Sequence, residues 1–244
     1  MPDHKVLPAG DTALVVELGE GVDREISARV LALAQTIAER RIEGVLETIP
    51  TFRSLLVHYD PLVLPADVLT VRIGELMQQL QVAQTPARAW ELPACYDPQV
   101  APDLEDVARR TGLSPAQLVE QHSNVSYYVY MLGFLPGQAY MGDLPGNLSL
   151  ARRESPRPTI PAGSLAIAGS MTCIFPQETP CGWHLIGRSP VPLWETEFTP
   201  RALLAPGDQV RFMPISLGEY EILRDKVAAG GLKIMPRSSL GIAA

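Results

Sequence analysis

The sequence predicts an α+β protein with a small N-terminal α/β unit over residues 1–86 and a β-rich unit over residues 87–244. In the first part, apolar residues recur with helical and strand periods. In the second part, short strand candidates are separated by proline and glycine turns, which is typical of a barrel or a sandwich. The polar and small residues of Gln81–Ala89 between them indicate a linker.

The first unit shows one strand, then a helix, two strands and a second helix. Thr12–Leu18 alternates apolar and polar residues, and the two segments "VLETIP" and "SLLVHY" also have strand character. Asp23 is placed to cap the first helix. Each helix carries one apolar stripe, made of Ile26, Val30, Leu33 and Ile37 in the first and Leu69, Ile73, Leu76 and Leu80 in the second. This β-α-β-β-α order predicts a small α/β sandwich with helices on one face of the sheet.

The second unit opens with helices and continues with short strands. Leu104, Val107 and Ala108 indicate one helix, and Ser114–Gln117 forms a capping box for the next. The strand candidates after His122 are "SYYVYML", "SLAIA", "TCIF", "WHLIGRS" and "QVRFMP". The tail predicts one short helix followed by a strand-like "LKIM" segment.

Charge and composition exclude several classes of protein. The formal net charge of −7 argues against general binding to nucleic acid. The N-terminus lacks the pattern of a signal peptide, and no apolar run reaches membrane-spanning length. The three scattered cysteines do not suggest a disulfide framework. We therefore expect a cytoplasmic protein that binds neither nucleic acid nor membrane.

No motif for autonomous chemistry stands out. The four histidines lack metal-site spacing, and there is no nucleotide-binding glycine motif and no Gly-x-Ser-x-Gly elbow. Cys181 and His184 could be a ligand pair or a nucleophile with its base, although a structural thiol beside a strand histidine is the simpler interpretation. His122, at a predicted helix end, fits a dipole partner as well as a functional group. We predict no metal site.

An unusual stretch, "YMLGFLPGQAYMGDLPGNL", combines apolar and aromatic residues with turn-forming ones. Two arginines, Arg157 and Arg188, follow it near prolines or strand ends, where a planar, permanently charged side chain is suited to a carboxylate or phosphate. The alternatives are surface salt bridges and a buried barrel crossover. We predict a groove for a ligand or partner, lined by Phe134, Pro136, Gly137, Tyr140, Arg157, Pro161, Gly163, Trp183 and Arg188.

Several motifs resemble one family. The segments "YMLGFLPGQAYMGDLP", "PRPTIPAGSLAIAG", "PQETPCGWHLIGRSP" and "LLAPGDQVRF" resemble the family of the 5-oxoprolinase B-type subunit, which is also called allophanate hydrolase subunit 1. This family also includes an inhibitor of a sporulation sensor histidine kinase. The N-terminal segments "GDTALVVELG", "IPTFRSLLVHYDP" and "LPACY" match in the same order, so the resemblance runs from about Gly10 to Pro214.

The resemblance implies a small α/β domain followed by a cyclophilin-like β-barrel. It also implies a non-autonomous subunit that acts with a related C-type barrel subunit and an A-type subunit of TIM-barrel type. Together these would open 5-oxoproline to glutamate at the expense of ATP, with no cofactor bound by this chain alone. The alternative implied role is a protein inhibitor that binds a histidine kinase and has no catalytic activity. A peptidyl-prolyl isomerase is a third candidate, suggested by barrel analogy only.

The resemblance also assigns residues. Its glycine-proline motif falls on Gly133, Phe134, Pro136, Gly137 and Tyr140, and its proline-arginine turn falls on Arg157, Pro161, Ala162 and Gly163. Its tryptophan-arginine strand falls on Trp183, Gly187 and Arg188, and its arginine-serine pair falls on Arg53 and Ser54. Arg53, His122 and His184 are secondary site candidates. Gln138 stands where the family usually has an aromatic residue and Cys181 where it usually has glycine, and both bear on ligand identity.

Overall fold

The computed structural model describes residues 4–82 and 87–230 and divides the chain into two compact units, Met1–Pro86 and Ala87–Ala244. Each unit has its own hydrophobic core. The predicted "LKIM" segment lies outside the described residues, as does part of the predicted linker.

The first unit is a four-stranded antiparallel sheet with two helices. Its elements are β1 (Lys5–Pro8), β2 (Ala13–Glu17), α1 (Arg24–Arg40), β3 (Val45–Pro50), β4 (Ser54–Tyr59) and α2 (Ala66–Gln78), and the strand order is β1-β2-β4-β3. The predicted order omitted β1, so the observed order is β-β-α-β-β-α. This strand is an edge of four residues that ends in proline and has no alternation, so its pairing with β2 is the only sign of it.

The predicted apolar stripes build the core of this unit. Val30, Leu33 and Ile37 of α1 and Leu69 and Ile73 of α2 are buried together with alternate residues of β2 and β4. Burial of each such side chain stabilises the folded state by about 1.5–3 kcal/mol relative to leaving it in water. The predicted cap is also confirmed, because the Asp23 carboxylate accepts hydrogen bonds from the N–H groups of Glu25 at 2.8 Å and Ile26 at 3.1 Å.

The second unit is a closed seven-stranded barrel with added helices. Its elements are β5 (Ala89–Cys95), α3 (Leu104–Thr111), α4 (Pro115–Ser123), β6 (Tyr127–Leu132), β7 (Ala139–Gly142), a 3₁₀ turn (Gly146–Leu148), β8 (Arg157–Ile160), β9 (Ser164–Ala168), β10 (Met171–Ile174), β11 (Thr179–Cys181), β12 (His184–Arg188), β13 (Gln209–Ile215) and α5 (Leu217–Ala228). The barrel order is β10-β7-β6-β13-β5-β12-β9, and β8 and β11 form a separate two-stranded ribbon. Of the two predicted architectures, the barrel is therefore confirmed. The cyclophilin-like detail stays a prediction.

The barrel is mixed because β5 and β13 run parallel, in register from Ala89↔Gln209 to Cys95↔Ile215. Asp208 anchors this pairing at its start. Its buried carboxylate accepts hydrogen bonds from Arg88 Nε at 2.8 Å and Nη2 at 2.6 Å, and from Trp90 Nε1 at 2.9 Å. The backbone hydrogen bonds between β5 and β13 and the ion pair between Arg88 and Asp208 therefore both hold the first residues of these two strands together.

Candidate functional site

The loop between β6 and β7 presents an exposed aromatic residue, Phe134, from the predicted groove. Its backbone lies in the left-handed region, with φ of 70°, and the residue is 67% exposed. Two backbone hydrogen bonds close the loop, from Gly133 N–H to the Gln138 carbonyl and from Gln138 N–H to the Leu135 carbonyl, each at 3.1 Å. A non-glycine residue in this backbone region costs about 1–3 kcal/mol, so the loop keeps a strained aromatic residue in solvent.

Gly137 fixes this loop against a neighbouring segment. It has φ of 76°, and a Cβ there would lie 2.6 Å from Trp194 Cβ and 2.7 Å from the Leu193 carbonyl oxygen. Only glycine fits such an approach without movement of backbone. Pro136 is exposed beside it.

Arg157, at the start of β8, is half-buried and its guanidinium is bound to the buried carboxylate of Asp103. Its Nη1 donates to one carboxylate oxygen at 2.8 Å and its Nη2 to the other at 2.6 Å. Arg153 Nη1 also donates to Asp103 at 3.1 Å, and the Leu185 N–H donates at 2.7 Å. The Asp103 residue is only 4% exposed, so this is a buried ion pair with a nearly saturated acceptor. A role for Arg157 in ligand binding stays a prediction.

Electrostatics at Asp103 follow from these contacts. Burial alone would raise the pKa of the carboxyl, but the hydrogen bonds from Arg157 and Leu185 and the charges of Arg157 and Arg153 outweigh it and lower the pKa below its usual value of 3.8. Conversely, the hydrogen bond to Asp103 raises the pKa of Arg157. Both groups therefore carry full charge at neutral pH.

Arg188 and the Pro161–Gly163 turn are joined by hydrogen bonds. Arg188 Nε donates to the Ala162 carbonyl at 2.9 Å, and the Ser189 N–H donates to the Gly163 carbonyl at 2.8 Å. Pro161 itself is exposed. The end of β12 and the turn before β9 thus form one connected corner of the barrel.

We expect Gly163→Ala to lower the free energy of unfolding by about 1–3 kcal/mol. Gly163 has φ of 80°, and a Cβ there would overlap the backbone carbonyl oxygen of Ser189, which cannot rotate away. Urea unfolding followed by tryptophan fluorescence measures the change. Gly146→Ala is the matched control, because its Cβ would meet no atom within 4 Å. Equal stabilities of the two variants would contradict the prediction.

Tyr140 and Trp183 lie together in a cluster on the outer face of the barrel. Their rings make an edge-to-face contact with centroids 6.0 Å apart, and burial raises the pKa of Tyr140. This cluster, which we call the outer cluster, consists of the buried residues Ile160, Ala166, Ala168, Cys173, Phe175, Cys181, Trp183 and Leu185. Ala166 and Cys173 pair across β9 and β10 and alternate with Leu165 and Ile174, which belong to the barrel core.

Both departures from the family pattern fall at this cluster. Gln138 is 1% exposed, and its Nε2 lies 3.9 Å from Cys173 Sγ, whereas its Oε1 has no partner among the described residues. Cys181 Sγ accepts the Trp183 N–H at 3.2 Å. The structure therefore brings Tyr140, Trp183 and both unusual positions together, while Arg157 and Arg188 each bind other parts of the chain.

The two candidate histidines have structural partners. His122 is fully buried, with its ring nitrogens 2.9 Å from Tyr96 Oη and 3.0 Å from Thr172 Oγ1, and burial lowers its pKa to about 3. His184 is 1% exposed, and its Nε2 contacts the Ala151 carbonyl at 2.9 Å. Arg53, the third secondary candidate, lies in the first unit, where its Nη1 donates to the Glu20 carbonyl at 2.6 Å.

Two structural findings concern the described ranges, 4–82 and 87–230. No group of three His, Cys, Asp or Glu side chains there could hold a metal ion. No helix in these ranges is long and apolar enough to cross a membrane.

No sequence motif indicates Asp103. Asp103 lies directly before the helix that begins at Leu104, and from sequence alone an acidic residue at this position predicts only an N-cap for that helix. Its partner Arg157 is 54 positions away, and no local pattern indicates a contact over that separation.

Comparison with known proteins gives consistent results. Residues 4–204 match the family described as "Carboxyltransferase domain, subdomain C and D". The B-type subunit of 5-oxoprolinase from Bacillus subtilis (strain 168) is 36% identical over 237 residues, which cover 91% of this chain and 98% of that protein. The solved structure of TTHA0988 has a TM-score of 0.74 at 36% identity; the match covers 83% of this chain but only 40% of that longer one.

A more distant structure shows the fold alone. The K. lactis urea amidolyase matches 98% of this chain with a TM-score of 0.83 at 21% identity, and the match covers 16% of that protein. The family match over most of the chain and the nearly full-length relative agree with the motifs quoted above. The chain therefore belongs to the family of the 5-oxoprolinase B-type subunit, or allophanate hydrolase subunit 1.

Proposed function

We propose that this chain is the B-type subunit of an ATP-dependent 5-oxoprolinase, which converts 5-oxo-L-proline and water to L-glutamate with consumption of ATP. The name of the Bacillus subtilis relative, which aligns over 98% of its length, supports this reaction. In this proposal the chain has no turnover alone. It acts with a related C-type barrel subunit and an A-type subunit of TIM-barrel type, and ATP enters at the level of the complex.

The exposed ring of Phe134 is the observation that supports a role of this loop in binding a partner subunit. An exposed aromatic side chain on a closed, glycine-locked loop loses little conformational freedom when it binds, and such residues are typical interface anchors. The closed loop holds Phe134 in a strained backbone conformation with its ring exposed, and strained positions of this kind cluster at functional sites. We assign this loop to contact with the related C-type barrel subunit.

The proposal includes a cytoplasmic location. All three cysteines, Cys95, Cys173 and Cys181, are free and buried, as is common in a reducing compartment.

We expect Phe134→Gly to weaken binding of the C-type barrel subunit by about thirtyfold or more, which corresponds to the loss of one anchor of about 2 kcal/mol. Glycine accepts the positive φ, so the variant should keep its free energy of unfolding within about 1 kcal/mol. Titration calorimetry with the purified C-type barrel subunit measures the affinity. ATP-dependent release of glutamate from 5-oxoproline, with all three proteins present, measures the activity.

Ile222→Ala is the control, because it removes another exposed apolar side chain, 58% exposed on α5. If both variants bind equally well, the loop is not the docking face. If the wild-type proteins assemble but release no glutamate, the proposed reaction is wrong. The phosphotransfer region of a histidine kinase serves as a second bait, and its binding without glutamate release would favour the inhibitor role instead.

A further inference from the structure

A second concave surface lies on the barrel unit, between helices α3 and α4 and the end of β13. We call it the α3–α4 groove; its volume is about 450 Å³. None of the predicted site residues lines it. Its lining residues are Tyr96, Pro98, Leu104, Glu105, Pro115, Ala116, Val119, Glu120, Ser123 and Pro214.

The floor of the groove is apolar and fixed. Leu104 and Tyr96 are 4% and 7% exposed, and the Tyr96 hydroxyl is bound to the buried His122 ring at 2.9 Å. A floor side chain locked in this way has little rotamer freedom left to lose when a partner binds.

The walls are equally well defined. Helix α4 begins with Pro115 at its first turn and a complete capping box, in which Ser114 N–H donates to Gln117 Oε1 at 2.9 Å and Gln117 N–H to Ser114 Oγ at 3.2 Å. Helix α3 ends at Gly112 in the left-handed conformation, with φ of 72°. These caps fix where α3 ends and where α4 begins, which limits the conformations of the segment that joins the two walls.

Both charged side chains that line the groove are acidic. Glu105 and Glu120 line it, and neither makes an ion pair within the part of the chain that the structure describes. The nearby arginines of α3, Arg109 and Arg110, both pair with Asp106 instead. Since no lysine or arginine lines the groove, its potential favours a cationic partner and opposes an acidic one.

We infer that the α3–α4 groove docks a segment of another protein of the complex in which an apolar side chain is flanked by lysine or arginine. The apolar side chain would lie on Tyr96 and Leu104, and the flanking cations would meet Glu105 and Glu120. This inference rests on the proposed function, because it takes the occupant from the other proteins of the complex. It adds a second contact surface to the Phe134 loop.

Charge reversal tests the inference in the assembled complex. Glu105→Lys combined with Glu120→Lys is expected to weaken assembly with the C-type and A-type proteins by about tenfold or more and to flatten its dependence on salt. Glu178 and Glu221 are exposed and lie outside the groove lining, so Glu178→Lys combined with Glu221→Lys makes the same change in net charge and should leave the affinity and its salt dependence unchanged. Ala116→Trp, at an exposed position, fills the groove without touching its charges and should also weaken assembly.

Hydrogen exchange on the wild-type complex provides an independent measurement. Protection of α3 and α4 amides on assembly supports the inference. If the complex forms with unchanged exchange there, and the groove variants bind like wild type, the inference is wrong while the proposed function stands. If the wild-type proteins do not associate at all, both are wrong, and binding of a second copy of this chain in the groove would also overturn the inference.

Discussion

Asp103→Asn is expected to lower the free energy of unfolding of the barrel unit by about 3–5 kcal/mol, the usual cost of breaking a buried ion pair. The substitution removes the charge that Arg157 and Arg153 share and replaces one acceptor oxygen with a donor. Arg157, whose side chain is 25% exposed, would be left with an uncompensated charge. All three tryptophans, Trp90, Trp183 and Trp194, lie in this unit, so fluorescence during urea unfolding measures its stability.

Asp106→Asn is the matched control, because it makes the same chemical change three residues further along the chain, in α3. Asp106 pairs with Arg109 and Arg110 at the surface, where its side chain is 39% exposed, so the expected loss is below about 1 kcal/mol. A loss at Asp103 as small as that at Asp106 would show that the buried pair does not hold the barrel. A double-mutant cycle with Arg157→Gln then measures the coupling directly.

Acidification from pH 7 to pH 4 is expected to cost the barrel about 3 kcal/mol through His122 alone. The buried ring titrates with a pKa of about 3, against an ordinary value of 6.5, because burial disfavours its charged form. The unfolded chain therefore binds a proton below about pH 6.5 that the folded chain does not bind until about pH 3. As the pH is lowered from about 6.5 to about 3, the free energy of unfolding falls by about 1.4 kcal/mol per pH unit. Above about pH 6.5, His122 no longer changes it.

The neighbours of His122 are uncharged, which is why burial dominates. Tyr96 and Thr172 contact its nitrogens, and Phe212 stacks on the ring with centroids 5.0 Å apart. His122→Gln should abolish most of the loss between pH 6.5 and pH 4, whereas His58→Gln, on β4 of the first unit, should retain it. Urea unfolding at pH 7, 5.5 and 4 measures the slopes. Equal slopes for His122→Gln and wild type would contradict the prediction.

Features set by local sequence could be predicted, and features set by distant contacts could not. The stripe of α1, its Asp23 cap and the capping box of α4 each depend on residues within a few positions, and the structure confirms them. Strand β1 was missed because pairing with β2, and not its own four residues, makes it a strand.

The candidate site follows the same rule. The glycine-rich loop could be predicted from the sequence, but neither the left-handed conformation at Phe134 nor the close approach of Gly137 to Leu193 and Trp194 could be. The chemistry of the Arg157 side chain predicts a bound carboxylate or phosphate. Its carboxylate partner comes from a distant part of the chain, and only the fold brings the two together.

The parallel pairing of β5 with β13 has a consequence for synthesis of the protein. These strands are adjacent in the barrel wall, yet the contacting residues Trp90 and Asp208 are 118 positions apart in the sequence. A ribosome must therefore deliver the chain past Ile215 before the wall can close, and until then the edges of β5 and β6 that pair with β13 stay open. High contact order of this kind slows folding and exposes strand edges to misassembly, so the nascent barrel is the stage at which a chaperone would have most to protect.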